Sequence, residues 1–70
     1  VASKVIAEVS IPGDEGFPLY EVWLEERGTK RSVILTDVLL QQHTYIPPEY
    51  AMAVATAMGM MAGMVETPDV

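Results

Sequence analysis

The chain has no cysteine, and this single absence removes disulfides, thiolate zinc sites, iron–sulfur clusters and a cysteine nucleophile from consideration. Histidine occurs once, at His43, so neither a histidine-based metal site nor a Ser-His-Asp arrangement has much to draw on. The spacings of a nucleophile elbow, a phosphate loop, a zinc helix and a calcium loop are all missing. Ser3, Ser10 and Ser32 fall in segments that read as strands. The paired acids Asp14–Glu15 and Glu25–Glu26 are sequence neighbours, and in a strand the second pair would face opposite ways, unlike a glycosidase dyad. No enzymatic activity, no cofactor and no metal are expected.

Bases are nearly as scarce. Lys4, Arg27, Lys30 and Arg31 stand against Glu8, Asp14, Glu15, Glu21, Glu25, Glu26, Asp37, Glu49, Glu66 and Asp69, for a net charge of -6. Such a field repels phosphate backbones and leaves nucleic acid an unfavoured partner, although Arg27, Lys30 and Arg31 form one local basic tip. A membrane span is also wanting. The uncharged run from Tyr50 to Val65 is shorter than the about 20 residues a bilayer helix needs, and its flanks are acids instead of Lys or Arg. The start, VASKVIAEVS, has no apolar core behind a basic segment and does not read as a secretory leader. These features, with the missing cysteine, fit a cytoplasmic protein.

What is present organises as one small domain over residues 1–70. In SKVIAEVSIP, Val5, Ala7, Val9 and Ile11 alternate with Lys4, Glu8 and Ser10, the pattern of a half-buried strand, with Ile6 as the exception on the polar side. Pro12, Gly13, Asp14, Glu15, Gly16 and Pro18 cluster as a loop. The segment PLYEVWLEER alternates again, Tyr20, Val22 and Leu24 against Glu21, Trp23 and Glu25. Gly28 supplies the positive φ of a tight hairpin, so TKRSVILT returns antiparallel beside it. The next stretch, TDVLLQQHTY, reads two ways: Thr36 or Asp37 caps a short helical turn near 37–43, or the residues prolong the strand. Pro48 and Glu49 then open a helix over about 48–66, which Pro68 stops. The expected fold is α+β, a three-stranded antiparallel meander packed against one C-terminal helix.

The helix has no charged residue between Glu49 and Glu66 and carries all five methionines. Tyr50, Val54, Met58, Met61, Val65 and flanking Met64 gather on one side at 100° steps, which suits the sheet. Ala51, Ala55, Gly59, Ala62 and Gly63 gather on the other. Gly59 and Gly63 each cost a helix about 1 kcal/mol against alanine, so a close neighbour should offset them. A second copy of the helix would serve, giving a two-fold homodimer through Ala51, Met52, Ala55, Gly59, Ala62 and Gly63.

Trp23 is the strongest candidate for a second surface, because tryptophan on a sheet's polar face is enriched among interface hot spots. Glu21 and Glu25 flank it, and Phe17 in the loop joins them as a candidate. An internal cation–π contact to Lys30 or Arg31 would instead use the ring structurally. The composition thus favours a small acidic non-enzymatic protein-binding module, an adaptor or inhibitor, acting as a homodimer on a partner of basic character. Two alternatives stay open: a nucleic-acid-binding domain that uses the three-stranded sheet and the basic hairpin tip, and a structural subunit of a larger assembly.

Overall fold

A computed structural model describes residues 2–66. Four strands run in chain order, β1 (Ser3–Pro12), β2 (Pro18–Arg27), β3 (Lys30–Asp37) and β4 (Gln42–Ile46), followed by the helix α1 (Pro48–Glu66). Every neighbouring pair is antiparallel, so the sheet is a four-stranded meander in the order β1-β2-β3-β4. The expected three-stranded meander is therefore short by one strand. The expected stop of the helix at Pro68 lies outside the described residues.

The missing strand comes from the segment that reads two ways. Asp37 does cap a turn, its Oδ1 accepting from the Leu40 N–H at 3.0 Å. No helical turn grows from it, because Gln41 adopts a left-handed φ of 54° and reverses the chain. Residues 38–41 become the loop of a hairpin with Asp37 opposite Gln42, a four-residue connection of common length. Thr44, Tyr45 and Ile46 are good strand formers once the chain has turned, and β4 pairs the backbone groups that β3 would otherwise leave open.

The other connections follow their turn residues. Arg27 pairs with Lys30 around the two-residue turn Gly28–Thr29, with Gly28 at a φ of 63° in its first position, where glycine carries no steric cost. Between β1 and β2 the Gly13 N–H donates to the Phe17 carbonyl at 2.8 Å. A Cβ at Gly13 would stand 2.8 Å from Leu19 Cδ1 and Cγ, so this loop closes tightly on the start of β2.

Register assigns the faces. Ala7, Val9 and Ile11 pair with Leu24, Val22 and Tyr20, and Val22 and Leu24 pair with Leu35 and Val33. This inner face receives the helix. A bulge between Val5 and Ala7 leaves Ile6 without a partner, and the extra residue shifts Val5 to the outer face beside Glu25. The expected grouping of Val5 with Val9 fails there, which explains why Ile6 looks out of place in the alternation.

The helix lies on the β3 side of the inner face. Ala51, Val54, Ala55 and Met58 line an apolar groove of about 190 Å³ with Ile11, Val22, Val33, Leu35 and Ile46. Only Ala51 and Val54 are even half-buried, and Tyr50, expected on the sheet, is exposed. The most deeply buried side chain of the described residues is on the other face: Ile34, 1% exposed, with Trp23 and Tyr45 as its cross-strand neighbours.

Candidate functional site

The outer face concentrates the polar chemistry of the chain. Across its middle run Glu8, Trp23, Ile34 and Tyr45, each opposite the next on adjacent strands, and beside them run Ser10, Glu21, Thr36 and His43. Alternation in the strands puts these eight side chains on one surface. Thr36 is 4% exposed and would be costly there without a partner. Its Oγ1 lies 2.9 Å from His43 Nδ1, and that contact satisfies it. The His43 ring also meets the Trp23 indole, with centroids 5.4 Å apart and planes tilted by 38°, within the range of favourable aromatic pairs.

An open depression of about 320 Å³ sits over this set, lined by Glu21, Trp23, Thr36, Val38, Gln41 and His43. Ser10 Oγ donates to Glu21 Oε2 at 3.4 Å, which leaves the carboxylate's other oxygen available. The buried Trp23 Nε1–H has no acceptor, an arrangement that costs about 1–3 kcal/mol and is rare in folded proteins. Trp23 thus shares a face with Glu21 and Glu25. Its ring neighbour is His43; Arg31 lies on the inner face, where its Nη2 is 3.1 Å from Glu26 Oε2, and Lys30 stands opposite Arg27 at the hairpin end of the sheet, four residues along β3 from Ile34.

Phe17 is not part of this surface. It is exposed in the β1–β2 loop and lines a separate depression with Gly13, Asp14, Glu15, Leu19 and Leu39. His43 is the residue of this face that the sequence does not single out, since it falls at the end of the segment that reads two ways. Its signal is faint: His43 and Tyr45 alternate with Thr44 and Ile46 over only five residues.

The helix residues expected at a dimer contact differ in whether they line the groove. Ala51 and Ala55 line the groove against their own sheet, while Met52, Gly59, Ala62 and Gly63 are exposed. A Cβ on Gly59 or Gly63 would meet nothing within 4 Å. The basic tip is partly neutralised, since Glu26 holds Arg31 and stands 4.0 Å from Lys4 Nζ. Among the described residues no group of three or more acids and histidines could hold a metal ion, and no helix is long and apolar enough to cross a membrane. The chain matches no protein-family model, no curated protein and no solved structure.

Proposed function

We propose that the protein is a non-enzymatic binding module that self-associates through its helical side and presents the outer face, centred on Trp23, to a protein partner of basic character. The observation that carries this reading is the depression at Glu21, Trp23 and His43. A carboxylate beside an indole suits the lysine or arginine of a partner, by charge pairing at Glu21 and cation–π attraction over the ring. Glu8 and Glu25 add acidity on the same face, and acidic rims of this kind steer basic partners. An adaptor and an inhibitor would use such a face in the same way. A cytoplasmic setting accompanies this reading, since a cysteine-free chain needs no oxidising compartment.

The nucleic-acid alternative is weaker on specific grounds. It requires Lys4, Arg27, Lys30 and Arg31 to meet phosphates together, yet Arg31 and Lys4 lie on the inner face with Glu26, which leaves Arg27 and Lys30 as the two bases on the outer face. A structural-subunit role would draw on the apolar inner face and leaves the Trp23 depression unused.

A direct test is a titration of the labelled protein with an arginine-rich peptide, followed by amide and indole NMR signals. The expected result is a salt-sensitive shift at the Trp23 indole, Glu21 and His43 that Glu21→Gln reduces several-fold. Shifts confined to the loop acids Asp14 and Glu15 would reject the Trp23 site. Retention of duplex DNA in a gel shift at moderate salt would put the nucleic-acid reading ahead.

A further inference from the structure

We infer that the inner face is completed by a second copy of this chain, whose helix lays its residues 61–65 over β1 and β2, and that the contact is sheet to helix and not helix to helix. This deepens the self-association reading by naming the surface each copy offers. Two deficits in one molecule match each other. Val54 and Met58 turn toward the inner-face groove, and at 100° per residue Met61 and Val65 continue the same stripe within about 60°. The groove ends at Met58, itself 55% exposed, and past it the stripe lines no part of the sheet: Met61 is 56% exposed and Val65 84%. Meanwhile the helix reaches β1 and β2 only at Ile11 and Val22, and the rest of that half of the inner face is thinly covered, with Val9 63% exposed and Tyr20 likewise open. One region is an apolar helix without a sheet; the other is an apolar sheet with little helix over it.

Area identifies the occupant as something of interface size. The chain exposes 5889 Å², whereas a folded chain of 7.7 kDa typically exposes about 4,300 Å². That surplus exceeds the roughly 800 Å² that one partner contributes to a standard interface. A two-fold dimer uses both deficits at once, because each copy supplies a helix end and receives one. Gly59 and Gly63 fall on the opposite side of the helix from this stripe and stay outside the contact.

A cysteine-free chain makes the test direct. Single variants Val9→Cys and Met61→Cys are prepared separately, checked for native circular dichroism, and oxidised alone and mixed, with Tyr20→Cys as a second sheet position. Sedimentation equilibrium of the wild type is run beside them. The expected result is a mass of twice 7.7 kDa, and a cross-linked dimer that forms at least tenfold more in the mixture than in either variant alone. Dimeric mass without the mixed cross-link, whether or not Gly59→Cys links to itself, overturns this placement and spares self-association. A wild type that stays monomeric at millimolar concentration overturns both.

Discussion

On the face of the sheet that has no helix, Ile34 and Thr36 are buried beside Trp23, Tyr45 and His43, while on the face that has one, Val9, Ile11 and Tyr20 remain open. The layer that should cover a sheet covers this one poorly, and the bare side buries its centre at Ile34 and Thr36 while Val5 and Tyr45 on the same face stay exposed. Side-chain size explains the difference. An aromatic ring buries about 150–250 Å² and reaches its diagonal neighbours across a strand, so one tryptophan and one tyrosine suffice around Ile34. The helix meets its sheet through Ala51, Val54, Ala55 and Met58, and of these only Val54 and Met58 have the length to fill the space, so β1 is touched at Ile11 and left open at Val9. Thr36 completes the outer face by turning its hydroxyl to His43, which keeps a polar group buried without penalty.

The comparison can be broken first at its best-packed point. Ile34→Ala should lower stability by about 2–5 kcal/mol, much of what so small a domain holds. Val9→Ala should cost less than about 1 kcal/mol in the isolated chain, since most of that side chain is already in water. Urea denaturation at low concentration measures both. Equal losses would show that the inner face is packed as tightly as the outer.

Gly59→Ala sharpens the contrast on the helical side. With nothing within 4 Å of the new methyl, the variant should gain about 1 kcal/mol from helix propensity, read as a raised urea midpoint. A destabilised variant would mean that another backbone lies against Gly59. On the outer face, Trp23→Phe removes the N–H that lacks an acceptor. The relief of about 1–3 kcal/mol should offset most of the lost ring area, leaving stability within about 1 kcal/mol of wild type by the same assay. A much larger loss would indicate that the indole N–H is bonded in solution. The smallest effect is expected from Glu26→Gln, which removes the exposed contacts to Arg31 and Lys4 and should change stability by less than about 1 kcal/mol.

These contrasts also account for what the amino-acid pattern could and could not reveal. β1, β2, β3 and α1 are legible because alternation, a glycine turn and a proline-led acidic start each act locally. β4 is not, because five residues with mixed polarity carry no periodic signal, and Asp37 caps a turn whether a helix or a hairpin follows. The face of Val5 depends on a bulge at Ile6, which only pairing defines. The grouping of Trp23 with Glu21 and Glu25 was readable from alternation, but His43 joins it only once β4 is in place. The helix's two sides were readable as bulky and small; which of them meets the sheet was not, since the groove is lined by Ala51 and Ala55 together with Val54 and Met58.

Thermal unfolding of the wild type over a hundredfold range of protein concentration tests most directly whether the inner face depends on another chain. Association stabilises by mass action, so the midpoint should climb by several degrees from the lowest to the highest concentration, with residues 59–65 gaining amide protection in step. A midpoint that does not move, with that end of the helix already protected in the dilute sample, would mean that one chain alone shields its apolar side.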